Sequence, residues 1–269
     1  MLVLALLFGA IVGLSLGLTG GGGAIFAVPL LVYGLGVSMR DAVGVSLAAV
    51  GATALIGFIT RWLQGDVEVR TGLLFAVAGM LGAPLGTLLA GKMSEAVLLS
   101  LFAALMLIVA ARLWRKSGTP QVACETNQDA SQPTCQRDEG GALVLNSRCA
   151  ILLSIVGVLT GALAGMFGVG GGFVIVPALV FFTNMPIHKA VGASLMVIAV
   201  ISVSGVASHL IAGRTIEPML TILFIAGGVA GLFVGQAIGR RLSGPALQKG
   251  FAAAIVAVAM FVIVKTLLA

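Results

Sequence analysis

Apolar residues in this chain form long unbroken runs, and polar residues only punctuate them. The runs fall at 2–18, 24–37, 42–63, 71–90 and 95–114, and then at 150–167, 173–183, 190–211, 218–239 and 246–268. Several are about 20 residues long, the length a helix needs to cross roughly 30 Å of hydrocarbon. In lipid a backbone must satisfy its own hydrogen bonds, which a helix does within one segment. The pattern predicts an all-α polytopic membrane protein with eight to ten membrane segments. Residues 117–148 break the pattern with Pro, Ser, Gln, Asn, Asp and Glu and no aromatic residue, and read as a polar linker. The expected organisation is a first transmembrane repeat at 1–116, the linker, and a second transmembrane repeat at 149–269. The first run has no basic segment before it and continues through Gly20–Gly23 into Pro29, so it reads as a retained segment, not a cleaved signal.

The two halves match each other. With residue n over residue n+148, Gly17 to Gly65 lies over Gly165 to Gly213 without a gap, and 15 of the 49 positions are identical. The matches include Gly20/Gly168, Gly22/Gly170, Gly23/Gly171, Pro29/Pro177, Ala-Val-Gly at 42–44 and 190–192, Ser46/Ser194 and Leu47/Leu195. A one-residue insertion then aligns Gly82/Gly231, Gly86/Gly235 and Ser94/Ser243. Each half opens with two short runs separated by glycines, a Gly-broken helical hairpin. If those runs form a hairpin, each half has an odd number of crossings and the repeats are inverted; if they form one broken helix, the repeats are parallel.

Charge bears on that choice. Of the residues, 59% are hydrophobic and 9% charged, with a mean hydropathy of +1.18. That is too little charge to cover a water-soluble surface. The net charge of +6 comes from residues at the ends of apolar runs, where Lys and Arg mark the cytoplasmic side, so it implies no nucleic acid partner. With the linker inside, the inverted arrangement puts eleven basic residues inside and four (Arg40, Lys92, Arg214, Lys265) outside; the parallel one gives nine and six. Inverted repeats are favoured, with the linker cytoplasmic and both termini outside. Cys124, Cys135 and Cys149 fit no zinc spacing and read as plain thiols of a reducing compartment.

The chemistry is expected at the glycine clusters, Gly17-Leu-Thr-Gly-Gly-Gly-Gly-Ala-Ile-Phe-Ala-Val-Pro29 and Gly165-Met-Phe-Gly-Val-Gly-Gly-Gly-Phe-Val-Ile-Val-Pro177. Successive glycines break a helix, and broken backbone survives at membrane depth only inside protein or beside water. Proline suits the first turn of a helix, so new helices are expected near Ala27–Val28 and Ile175–Val176. Their N-termini would present amides and a partial positive charge to an anion. The candidate substrate-binding residues are Thr19, Gly20, Gly21, Gly22, Gly23 and Ser46 in the first half, and Gly168, Gly170, Gly171, Gly172 and Ser194 in the second. Ser46 and Ser194 either donate to a ligand or back-bond to their own helices. Arg61, its repeat equivalent His209, and the lone amide Gln236 are candidates for a vestibule. Gly82/Gly86, Gly231/Gly235/Gly239 and Gly161/Gly165 read instead as close helix packing. The acidic residues outside the linker (Asp41, Asp66, Glu68, Glu95, Glu217) all lie at run ends. A cation carrier would be expected to hold carboxylates mid-span. No hydrolase or nucleotide-binding motif is present, so neither an enzyme nor a cofactor or metal is expected.

At these motifs the sequence resembles the TauE/SafE family, also called the sulfite exporter or toluene-sulfonate uptake permease family. The resemblance rests on the paired Gly-rich segments ending in Pro29 and Pro177 and on the Ala-Val-Gly-x-Ser-Leu stretches at 42–47 and 190–195. It covers nearly the whole chain outside the linker. It implies a secondary carrier in a bacterial-type inner membrane, working by alternating access on sulfite, organosulfonates or related small sulfur anions. A cell negative inside would favour export of such a charge. The partners expected are a small anionic substrate and the lipid bilayer. Rival readings are a carrier of another small anion or of a metal cation, and a non-transporting membrane assembly factor.

Overall fold

The computed structural model describes residues 2–116, 147–183, 185–239, 253 and 255–262, and every regular element among them is helical. Helix α1 is Leu2–Thr19, α2 Gly22–Gly34, α3 Met39–Leu63, α4 Val69–Lys92 and α5 Glu95–Lys116. In the second half α6 is Ser147–Phe167, α7 Gly172–Thr183, α8 Ile187–Ile211, α9 Pro218–Gly239, and α10 covers 255–262. Among the described residues six helices (α1, α3, α4, α6, α8, α9) are long and apolar enough to cross a membrane. The short helices α2 and α7 follow the glycine clusters. The basic residues Arg240, Arg241, Lys249 and Lys265, and Cys124 and Cys135, lie outside the described residues.

The two halves interlock. Helix α1 packs along α9 and α4 along α6, and α3, α8 and their neighbours α9 and α4 form the middle. Each pairing maps onto another when the repeats are exchanged: α1 with α9 becomes α6 with α4. Helices α3 and α8 are the most enclosed, with 67% and 72% of their spans buried. They run antiparallel: Gly44 near the start of α3 lies against His209 near the end of α8, and Gly192 near the start of α8 lies against Asp66, just past the end of α3.

Small residues make these contacts possible. Gly9, Gly13 and Gly17 recur every fourth residue, which lines them along one face of α1. A methyl group at Gly13 would strike the backbone of Gly228, and one at Gly231 the carbonyl of Ala10. The symmetry-related seam is the same: Gly161 meets Gly79, and Gly86 meets Ala162. The packing role expected for Gly82, Gly86, Gly161, Gly165, Gly231 and Gly235 therefore holds. Gly239 differs, since the nearest atom to a Cβ there is 3.6 Å away and a side chain would fit. On the outer faces Leu73, Val77, Leu81, Leu85 and Leu88 of α4, and Ile151, Ile155 and Leu159 of α6, are exposed. Their spacing of three or four makes apolar stripes that suit lipid and would be a liability in water.

Two details depart from the sequence reading. In the second half the helix restarts earlier than Pro177 suggests, while in the first half regular α-geometry begins at Ala27, as expected. Helix α7 begins at Gly172, and Pro177 lies inside it; α2 winds as a tight 3₁₀ turn from Gly22 before regular α-geometry begins at Ala27. The cause is the left-handed backbone just before each start, at Gly171 (φ 68°) and Gly21 (φ 155°), which completes the change of direction and frees the next residue to be helical. Secondly, Cys149 is disulfide-bonded, so it is not the free thiol expected.

Within α4, Pro84 has no N–H to give the carbonyl four residues earlier. That carbonyl, of Met80, accepts instead from the hydroxyl of Ser204 on α8 at 2.8 Å. At the start of α3, Ser38 caps the Asp41 amide (3.2 Å), and Glu95 of α5 accepts the Met39 N–H (2.5 Å). Arg40 donates to the Met93 carbonyl (3.2 Å), which ties this end of α3 to the α4–α5 turn.

Candidate functional site

The glycine clusters are where the chain breaks, as expected. Helix α1 ends with the Gly20 amide bonded to Leu16 O (2.8 Å), and α6 with the Gly168 amide bonded to Ala164 O (2.8 Å). Both terminal glycines are left-handed, Gly20 at φ 75° and Gly168 at φ 71°. Only glycine adopts that conformation without strain and lets another backbone approach. Beyond them the two clusters diverge: Gly21 continues one break, while Gly170 (φ 64°) and Gly171 (φ 68°) form the other.

Both breaks are buried in the bundle, and each is held by the opposite half. The Ser46 hydroxyl donates to the carbonyl of Gly168 at 2.6 Å. The Ser194 hydroxyl donates to the carbonyl of Gly20 and shares its hydrogen with Val191 O. These two bonds are equivalent under the repeat and cross between the halves in opposite directions. The residues around them match as well: a side chain at Gly20 would strike Val191, and one at Gly168 would come within 2.8 Å of the Val43 Cα. Gly21 and Gly172 lie back to back, each blocking a methyl on the other.

The structure thus brings together Gly20, Gly21, Ser46, Gly168, Gly172 and Ser194, whereas Gly23 faces Ser15 and Leu16 of α1, Gly170 faces Ile198 and Gly171 faces Thr160. It uses them differently from a preformed anion pocket. Both serine hydroxyls are spent on glycine carbonyls, neither of which is a ligand nor part of the serine's own helix. The third hydroxyl, Thr19, turns back to Ser15 O (2.7 Å) on α1. In this conformation the breaks close on one another.

The vestibule candidates separate. Arg61 is half-buried near the far end of α3, where its carbonyl accepts the Gln64 and Asp66 amides. Its equivalent His209 is fully buried on α8, its ring against Gly44, and neither ring nitrogen has a hydrogen-bond partner among the described residues. Gln236 on α9 keeps a buried side-chain nitrogen without a partner among the described residues; the repeat places Thr87 at the corresponding point of α4, where it approaches the Gly165 carbonyl at 3.4 Å.

Open space lies at the His209 end of the bundle. Two adjoining clefts, about 410 and 400 Å³, share Val37, Asp41, Glu217 and Leu220 in their walls. Val45 lies on the floor of one of them. Asp41 and Glu217 were read from sequence only as acids at run ends. The capping spacing Ser38-x-x-Asp41 was legible, but nothing local showed that the segment before α9 would fold beside it. Arg214 stands behind this cleft. Burial holds its guanidinium below the ordinary value, Arg40 pushes in the same direction, and Asp41 opposes both.

Comparison with known proteins agrees with this architecture. The chain matches the family described as "Sulfite exporter TauE/SafE" over residues 5–262. It is 37% identical over 261 residues to a "Probable membrane transporter protein" of Xylella fastidiosa (strain Temecula1), covering 95% of this chain and 92% of that one. It is 26% identical to the "Probable membrane transporter protein YdhB" of Bacillus subtilis, with 87% and 88% covered. It is 25% identical to the "Probable membrane transporter protein MJ0441" of Methanocaldococcus jannaschii, with 79% and 73% covered. No solved structure matches. With two glycine-broken halves tied by reciprocal serines, and a family match spanning nearly its full length, this chain belongs to the TauE/SafE family of multi-pass membrane transporters.

Proposed function

We propose that the protein is a secondary carrier of small sulfur-containing anions, sulfite or organosulfonates, that exports them by alternating access between two inverted halves. The observation that carries the reading is the pair of bonds Ser46–Gly168 and Ser194–Gly20. Two helix breaks, each held shut by the other half through one hydroxyl, form a joint that can open toward either side. When the joint opens, the same hydroxyls and the amides of the α2 and α7 N-termini are released together for an anion with several acceptor oxygens. Discontinuous helices serve this purpose in other secondary carriers. The antiparallel course of α3 and α8, equivalent helices under the repeat, supports inversion of the halves. The family's description supports the sulfur chemistry. The inner membrane, with the linker cytoplasmic and the termini periplasmic, is the setting that the distribution of Lys and Arg supports.

The test uses purified protein in proteoliposomes with sulfite, thiosulfate, sulfoacetate and taurine. At least one should stabilise the protein thermally and be carried. Ser46→Ala with Ser194→Ala should leave a folded protein whose flux falls by about tenfold or more, the loss of roughly one charge-assisted hydrogen bond at the site. Neither stabilisation nor flux with any of these anions would refute the substrate class. Unchanged flux in the double variant would remove the serines from the mechanism.

A further inference from the structure

The one ionisable side chain fully enclosed in the described part of the bundle is His209, and both its nitrogens lack a partner there. Burying two unpaired polar atoms is costly, and evolution could have avoided the cost with Leu or Phe at the same volume. The surroundings are built to receive this ring. Glycine at position 44 leaves the ring its room, since a Cβ there would stand 2.5 Å from His209 Nε2 and the ring would have to shift. The turn of α3 that carries Gly44 also carries Asp41 and Val45, which line the cleft at this end. The ring is therefore one helical turn away from space continuous with the cleft.

The chemistry of that approach favours a cation. Asp41 and Glu217 line the cleft walls, and an anion entering there would meet both carboxylates. Asp41, Glu217 and His209 do not converge as a metal-ligand set among the described residues. A proton needs no such set, and a neutral imidazole accepts one in the physiological range. The charges that act on His209 are Asp41 of α3 and Arg214 beyond its own helix. Among the described residues, Arg40 of α3, Lys92 of α4, Glu95 of α5 and Glu217 ahead of α9 complete the charged groups at that end.

We propose that His209 is a proton-binding site reached through the Asp41–Glu217 cleft, and that the proton it takes is the ion coupled to anion movement. The coupling rests on the carrier function proposed above, whereas the proton site does not. Protonation gives the enclosed ring a charge that neither Gly44 nor the apolar floor at Val45 can satisfy, so α3 and α8 must part at this end to let Asp41 or water reach it. Those are the helices that carry Ser46 and Ser194, and their separation strains the two ties on the glycine breaks.

The chain has two histidines, His188 and His209, so ¹⁵N-histidine labelling of the full chain in lipid nanodiscs gives two imidazoles, and His209→Gln assigns them by loss of one. The His209 resonances should follow a one-proton titration between about pH 5 and 8. An imidazole that does not change across that range overturns the proposal. In proteoliposomes the probe is isethionate, whose sulfonate stays ionised throughout. One pH unit of gradient should change its accumulation ratio by about tenfold in a one-proton coupling. His209→Gln should lose that response to the pH gradient. An equal response in both proteins also overturns the coupling. If neither isethionate nor sulfite is carried at all, the anion reading fails, and the titration alone decides whether His209 binds a proton.

Discussion

At the scale of single residues, glycine serves two purposes that look alike in sequence. Gly213 has φ 73° and nothing within 4 Å of where a Cβ would stand, so it is glycine for its backbone angle alone. Gly21 has φ 155° and also lies on the Cα of Gly172. Gly213→Ala should therefore cost about 1 kcal/mol, the strain of a left-handed alanine. Gly21→Ala should cost about 1–3 kcal/mol more through overpacking, and reduce transport with it. Unfolding of each variant in detergent, followed by Trp fluorescence, checks the difference; equal losses would show that the two backbones have room to part. The oligoglycine stretches were legible as breaks because three or four glycines in succession suit no helix. Their close partners were not, because Ser46 and Gly168 are 122 residues apart and Ser194 and Gly20 are 174 apart. A hydroxyl in an apolar run has a polar target somewhere, but only packing says which.

At the scale of elements, the long apolar runs became helices close to their expected bounds, since run length and helix length answer to the same bilayer thickness. The restart after the second break was misplaced by about one turn because proline marks where a helix can begin, while the left-handed glycine before it decides where it does. Pro84 shows the reverse case. A proline inside α4 strands the Met80 carbonyl, and α8 repairs the loss through Ser204. Ser204→Ala should lower stability by about 1 kcal/mol without touching the glycine breaks, so thermal midpoint falls while flux per folded molecule is kept. Ser204→Thr should restore most of the loss; equal destabilisation by both variants would assign the effect to packing.

At the scale of the whole molecule, the charged residues among those described lie at the ends of the long helices. Arg40, Lys92 and Arg214 lie at one end, where Arg214 comes within 3.2 Å of a Cβ built on Gly91 and Arg40 holds the Met93 carbonyl. The repeat register assigned these three to one side, and their proximity follows from the antiparallel course of α3 and α8. With native cysteines replaced by serine, Lys92→Cys should react with an impermeant maleimide from outside the cell, and Arg70→Cys only after permeabilisation. The opposite result would turn the molecule over and bring the Cys149 disulfide to the oxidising side. The interlocking of the halves has a wider implication. Since α1 finds its mate in α9, and α4 in α6, no long seam among the described helices is made within one repeat. The molecule is built like an obligate dimer whose two subunits share one chain. The polar segment between them keeps the stoichiometry, and severing it should yield two fragments that are insoluble apart and active when produced together.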